Sequence, residues 1–195
     1  MAGLTMSLDG FIAHRDDGVE HLFDWYDNRD VEVRWPGNEM VSHVTPASAA
    51  YLRETIASAG ALVVGRRVFD YTNGWEGSHP LGVPVFVVTH RVPEGWPRDD
   101  APFTVVLDGV ESAVAQAKAT AGDKTVGLAG PSVIQQCIDA DLVDELHVEL
   151  VPVLLGDGVR FFDTLADPPV ILENPTVIES DRVTHLQYQV VRSVN

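Results

Sequence analysis

Two apolar runs constrain the fold of this chain more than anything else in it: Ala61-Leu62-Val63-Val64-Gly65 and Val83-Pro84-Val85-Phe86-Val87-Val88-Thr89. A strand with one wet face alternates apolar and polar residues. A run that is apolar at every position needs cover on both faces, as in a parallel sheet sandwiched between helices. Phe103 to Leu107 and Val126 to Ala129 have the same character. The stretches between them carry helical spacing. Thr45 suits an N-cap and Pro46 the first helical position, with Leu52, Ile56 and Ala59 on the apolar face and Gly60 as the stop. Asp108 is expected to cap a helix with the face Val110, Ala113, Val114 and Ala117, closed by Gly122. A further helix carries Val133, Ile134, Cys137 and Ile138, and a long strand covers roughly Glu145 to Leu155.

The two ends of the chain read differently. Residues 2–13 form an opening strand broken at Asp9-Gly10, a turn dipeptide. Residues 14–45 are a polar excursion containing Trp25, Tyr26 and Trp35, with room for one short helix. From Val177 to Val190 two strands flank a Ser180-Asp181 turn. There His185, Gln187 and Gln189 alternate with Leu186, Tyr188 and Val190, which predicts one wet and one dry face. The expected fold is therefore α/β and three-layered: a central mixed, mostly parallel sheet flanked by helices, with an antiparallel C-terminal hairpin, in one domain over residues 1–195.

The formal charge is −16. Such a surface repels nucleic acid and anionic lipid, so neither is an expected partner. No apolar run approaches the roughly 20 residues needed to span a bilayer. The single cysteine, Cys137, excludes a disulfide framework. With a start that lacks a basic n-region, this makes the cytoplasm the expected compartment. His147-Val148-Glu149 has the H-x-E spacing of zinc deaminases, but one cysteine cannot complete such a site and no metal is expected. The reading preferred for that pair is a solvated or dimer-facing strand surface.

Three strand ends offer donors for phosphate. After Val126–Ala129, Gly130 lets an anion approach the backbone, Pro131 opens a helix whose first N–H groups have no partner, and Ser132 adds a hydroxyl. Gly65-Arg66-Arg67 and Thr89-His90-Arg91 end two other strands with forked or basic donors. Open α/β sheets bind ligands along this carboxyl edge. The coincidence points to a nucleotide cofactor.

Several of these segments occur in an order that resembles the dihydrofolate reductase-like superfamily. They are Ser7-Leu8-Asp9-Gly10-Phe11-Ile12-Ala13, Val64-Gly65-Arg66-Arg67-Val68-Phe69, Val87-Val88-Thr89 and the Gly130 turn, followed by Leu142-Val143-Asp144-Glu145-Leu146 and Pro152-Val153-Leu154-Leu155-Gly156-Asp157-Gly158. More closely, the chain resembles the C-terminal reductase domain of the bifunctional riboflavin-biosynthesis deaminase–reductase, in a stand-alone form. The resemblance implies NADPH as cofactor and an NADPH-dependent reductase acting on a C=N or C=O of a small pterin- or aminopyrimidine-like heterocycle. By it, Arg66 and Arg67 would hold adenosine-side phosphates, and Thr89, His90 and Arg91 would lie near the 2′-phosphate. Ala129, Gly130, Pro131, Ser132 and Val133 would hold the pyrophosphate, and the backbone of Ile12 and Ala13 would face the nicotinamide. Thr5, Trp25 and Leu128 would border the substrate. Asp9, Thr5, Ser7 or bound water could supply a proton, and the preferred reading of Asp9 is that it shapes the turn. Leu128 stands where riboflavin-pathway reductases commonly carry Glu. On the Pro46 helix, where dihydrofolate reductases place a substrate-binding carboxylate, the positions on offer are Ser48 and Glu54. A homodimer is expected through the Leu146–Leu155 strand. Alternatives on the same fold are a non-catalytic NADPH sensor, a dihydrofolate reductase proper, and a flavin-binding or drug-inactivating reductase.

Overall fold

A computed structural model describes residues 1–163 and 165–191. Eight strands form one sheet: β1 (Ala2–Ser7), β5 (Ala59–Gly65), β6 (Val85–Val88), β7 (Phe103–Val106), β8 (Thr125–Ala129), β9 (Glu145–Val151), β11 (Thr176–Ser180) and β12 (Val183–Gln189). Their spatial order is β11-β12-β9-β1-β8-β5-β6-β7. The six strands from β9 to β7 are mutually parallel, and β12 runs antiparallel to both β9 and β11. The mixed sheet and its terminal hairpin thus match the expectation. Two small ribbons lie outside it: β2 (Phe11–Ala13) with β10 (Val159–Arg160), and β3 (Val31–Arg34) with β4 (Val41–Val44). The second ribbon and a 3₁₀ turn at Asp24–Tyr26 give the 14–45 excursion its structure.

Helices cover both faces. On one, α3 (Val110–Ala121) and α4 (Pro131–Asp139) press Val114, Ala117, Ile134 and Cys137 onto Ala61, Val63, Leu128, Leu146 and Val148. Fully burying a side chain such as Ile134 contributes roughly 1.5–3 kcal/mol. On the other face, α1 (Pro46–Ser58) packs Ala49, Tyr51 and Leu52 with Trp25, Trp35, Val151 and Val183. The short α2 (Arg66–Tyr71) closes a third cluster of Leu62, Val64, Phe69, Val85, Val87 and Phe103. Alternation along β5 sends Ala61 and Val63 to the first face and Leu62 and Val64 to the second, so the continuous apolar run is covered on both sides.

Some local expectations change. Thr45 caps α1, its side chain accepting from the Ser48 N–H at 3.1 Å. Gly60, however, lies inside β5 rather than at a helix stop. A Cβ there would meet Lys124 Cβ at 2.6 Å and Ala121 Cβ at 2.8 Å, so its role is close approach to the end of α3. Gly109, not Asp108, is the N-cap of α3, with φ near 97°. β9 ends at Val151 because Pro152 follows, and it is paired on both sides. It therefore presents no free edge for a dimer; the open edges of the sheet are β11 and β7. Among the described residues no helix is long and apolar enough to cross a membrane, and no cluster of three or more His, Cys, Asp or Glu could hold a metal ion.

Candidate active site

The strands β8, β5 and β6 are neighbours, so the three glycine or basic strand ends lie side by side along one edge. Gly130 has φ +95°. A Cβ added to it would stand 3.0 Å from Val68 Cγ2 and 3.8 Å from the Gly65 N, so the two turns approach too closely here for a side chain to fit without crowding. Gly130 is the N-cap of α4 with no side-chain cap, so the first-turn amides of that helix have no partner within it. Gln136 Nε2 donates to Ser132 Oγ at 3.0 Å, leaving the hydroxyl proton of Ser132 to point elsewhere. Arg66 Nη1 donates to the Arg91 carbonyl at 3.2 Å and ties the end of β5 to the loop after β6. Thr89 Oγ1 donates to the same carbonyl at 3.0 Å and fixes the Thr89–Arg91 turn. Arg66 also holds Asp70 through Nε at 2.7 Å. This edge is a cradle of backbone amides, hydroxyls and guanidinium groups that suits a phosphorylated ligand.

Arg67 turns the other way, pairing with Asp17 at 2.7 Å. It helps line a cleft of about 860 Å³ with Arg15, Ser132, Gln135, Asp157 and Arg160. One wall of the cleft is the 152–160 loop, clipped to the β1–β2 turn. Asp9 forms the clip: its carboxylate accepts from Ser7 Oγ at 2.6 Å, the Leu155 N–H at 3.2 Å and the Gly156 N–H at 2.7 Å. These donors, the Ser7 hydroxyl foremost, hold the Asp9 carboxyl below its ordinary range. An ionised carboxylate with its oxygens committed is a fastener: Asp9 shapes its turn, as the preferred reading had it, and is not placed as a proton donor. Ala13 pairs with Val159, and Gly158 packs directly against its carbonyl. That covers one of the two backbone groups expected to face the nicotinamide, and Ile12 packs toward the α3–α4 core.

Beneath α1 the sheet carries a second constellation. Thr5 on β1, Glu149 on β9 and His185 on β12 stand in register across three strands and face the helix. Tyr51 donates its hydroxyl to Glu149. The Tyr51 ring stacks on His185 at 4.1 Å, and Trp25 meets His185 edge-on at 5.1 Å. Ser48 Oγ bonds to His185 Nε2 at 2.9 Å and to Ser180 Oγ at 2.7 Å. Burial lowers the pKa of His185 to about 4. It also raises that of Glu149 above the usual carboxylate range, against hydrogen bonds from Tyr51 and Thr5 that favour the ionised form.

Thr5 and Trp25, expected at the substrate, do belong to this buried group. Leu128 does not. It lies on the opposite face of the sheet, 4% exposed among α3 and α4 side chains, so it is a core residue rather than a substrate contact. His185 was expected on a wet face and is fully buried, because α1 covers that end of the hairpin. His147 and Glu149 likewise lie under α1 rather than on an open strand surface, with Tyr51 bonded to Glu149 and its ring 6.2 Å from His147. Ser48 has no carboxylate and is buried and bonded to its neighbours, and Glu54 is exposed, so neither places a buried carboxylate on this helix. Glu149 and Tyr51 are the residues sequence reasoning missed. The available signal was the period-2 placement of Glu149 within a strand otherwise apolar on its other face.

The family model described as the RibD C-terminal domain matches residues 1–183. Among solved structures, a putative riboflavin biosynthesis protein from Shewanella sp. PV-4 is 26% identical, with 98% of each chain covered and a TM-score of 0.70. A diaminohydroxyphosphoribosylaminopyrimidine deaminase/5-amino-6-(5-phosphoribosylamino)uracil reductase from Thermotoga maritima is 14% identical at TM-score 0.62. The match covers 97% of this chain and 56% of that one, so this chain spans little more than half of the bifunctional protein. Dihydrofolate reductase from Enterococcus faecalis, solved with NADP(H), is 14% identical over 98% of this chain and 95% of that chain, at TM-score 0.58. The strand order, the Gly65–Gly130 approach and the family match agree: this chain belongs to the RibD C-terminal domain family, on a dihydrofolate reductase-like fold.

Proposed function

We propose that this protein is an NADPH-dependent reductase of a small heterocycle of the pterin or aminopyrimidine kind, reducing a C=N or C=O group. The observation that carries the reading is the meeting of Gly65-Arg66, Thr89–Arg91 and Gly130–Val133 on three adjacent strand ends, with Gly130 at a positive φ and so close to Val68 that a side chain would crowd the turn. Family membership and the NADP(H) complex of the Enterococcus dihydrofolate reductase support it.

The residues present fit that cofactor. Gly130, Ser132 and Val133 would take the pyrophosphate on α4 amides and a hydroxyl, and Arg66, Thr89 and Arg91 would hold the adenosine-side phosphate. When bound, the nicotinamide supplies a hydride. The chain's own part is to orient and to exclude water. The Asp9 clip fixes the loop beside the β1–β2 turn, and Thr5, Trp25, Tyr26 and Tyr51 wall the region under α1. The test is calorimetric titration with NADPH and NADH, followed by cofactor oxidation with pterins, aminopyrimidines and simple carbonyls. Tighter binding of NADPH together with turnover on one heterocycle class supports the reading. Absence of binding by either nucleotide overturns it.

A further inference from the structure

One guanidinium at the cofactor edge already holds an anion, and that anion is part of the chain. Arg66 reaches toward the Thr89–Arg91 turn, whereas Arg67 turns to the β2 side. Its Nε donates to Asp17 Oδ2 at 3.0 Å, and its Nη2 lies 2.7 Å from Asp17 Oδ1. Two parallel N–H···O contacts between a planar fork and a two-oxygen anion are the geometry in which arginine grips a phosphate as well as a carboxylate. Arg67 lines one cleft with Pro131 and Ser132, at the start of α4. The Asp17 carboxylate therefore fills the fork of an arginine in the cleft that a phosphorylated ligand would enter.

The turn that carries Asp17 is built to keep it there. The His14 N–H donates to the Gly18 carbonyl at 2.7 Å, and the Asp17 N–H to the His14 carbonyl at 3.1 Å. Asp17 has φ +68°. Residues with a Cβ rarely adopt that conformation, and Asp is among the few that tolerate it. On its other side the turn is fastened to the 152–160 loop, where Arg15 pairs with Asp157 and Gly158 packs on the Ala13 carbonyl. The Asp17 side chain is 30% exposed and the Arg67 side chain 63%, so the carboxylate is sheltered and the guanidinium is the partner a ligand can reach. Asp16, next to it, accepts from the Gly18 N–H at 3.3 Å and joins none of the ion pairs among the described residues.

We propose that Asp17 sets the affinity of this cleft for its ligand: in the free protein its carboxylate fills the Arg67 fork, and a phosphate group of the incoming dinucleotide displaces it. The identity of the ligand rests on the reductase reading above; the competition rests on the Asp17–Arg67 geometry. One anion replaces another on the same fork, and no covalent bond is made or broken. An exposed ion pair is worth little, so the internal competitor weakens binding without blocking it. The apparent affinity is the intrinsic one reduced by the fraction of molecules whose fork is open. Salt screens the attraction of Arg67 for Asp17 and for phosphate alike. The wild type should therefore respond weakly to salt, and a protein without the carboxylate more strongly.

The test titrates the full chain calorimetrically with NADPH and, as a second probe, inorganic pyrophosphate. Asp17→Asn removes the charge and keeps a residue that tolerates the positive φ; Asp17→Gly removes the charge and the strain together. Both variants should bind each probe about two- to fivefold more tightly than wild type at low salt, with the gain fading at high salt. Arg67→Ala should weaken binding, and Asp17→Asn should add nothing in that background. Asp16→Asn removes the same charge one residue away and should change affinity less. Equal NADPH affinity in wild type and Asp17→Asn, an equal gain from Asp16→Asn, or a gain that survives in Arg67→Ala each overturns the proposal and leaves the dinucleotide reading in place. Pyrophosphate bound more tightly by Asp17→Asn, in a protein that ignores NADPH, would leave the competition standing and sink the dinucleotide reading. No binding of either probe by any of these proteins overturns both.

Discussion

The carboxyl edge of β8, β5 and β6 and the chamber under α1 solve opposite electrostatic problems. The edge is wet. Its arginines are partly exposed and already paired, Arg66 with Asp70 and Arg67 with Asp17, and its anion-directed groups are mostly main-chain amides at turns. Exposed ion pairs of this kind are worth little in stability and are easily exchanged for a ligand. The chamber is dry. Its acid has no counter-ion, its histidine is held neutral, and its hydrogen bonds run between side chains from distant parts of the chain. The edge can wait for its ligand at little cost. The buried group carries a standing cost, a carboxyl out of water and polar atoms without partners.

That contrast breaks first at Gly130. Gly130→Asp would put a charged side chain at φ +95°, in the space next to Val68 and Gly65. NADPH affinity should fall by two orders of magnitude or more in a calorimetric titration, with the far-ultraviolet circular dichroism unchanged. Undiminished affinity would detach the glycine turn from any phosphate role.

A second effect comes from acid titration of the chamber. His185 titrates near 4 in the folded chain and at about 6.5 when unfolded. The unfolded chain therefore takes up the proton first, and stability should decline as pH falls from about 6.5 toward 4. His79, also lowered to about 4 by burial, adds to the same decline. Thermal melts of wild type and His185→Asn between pH 7 and 4 check this; the slope should be shallower in the variant.

Glu149→Gln sharpens the comparison further, because its sign is opposite. A carboxyl whose pKa is raised by folding costs stability once the pH is above its unfolded value. Removing the charge should raise the melting temperature near neutral pH by about 2–4 °C, the shift that about 1 kcal/mol produces in a domain of this size. At the edge, Arg66→Ala with Arg91→Ala should weaken NADPH more than NADH, by about tenfold, a difference of about 1.4 kcal/mol. Equal losses would mean the two arginines only shape the Thr89–Arg91 turn.

The same division explains what the sequence made legible. The edge is written in contiguous words, Gly65-Arg66-Arg67, Thr89-His90-Arg91 and Gly130-Pro131-Ser132, because each turn is built by residues next to one another. The parallel core was legible for a similar reason: strands covered on both faces are apolar throughout. The chamber draws on positions 5, 25, 48, 51, 149 and 185, which only strand register and the placement of α1 bring together. His185 looked solvent-facing because its neighbours Gln187 and Gln189 are polar; α1 covers one end of β12 and not the other. Leu128 was misplaced by analogy of position, since strand alternation sends it to the α3–α4 face.

Cys137 gives this architecture a built-in clock. It is fully enclosed between α4 and the sheet, and burial pushes its thiol up to about 11, so a thiol-directed reagent meets almost no thiolate in the native protein. Labelling has to wait for α4 to lift away, and α4 is the helix whose first turn follows Gly130. A nucleotide that gripped that turn would hold the helix down and stretch the waiting time, so the lone thiol reports occupancy from the far end of the helix without any added probe.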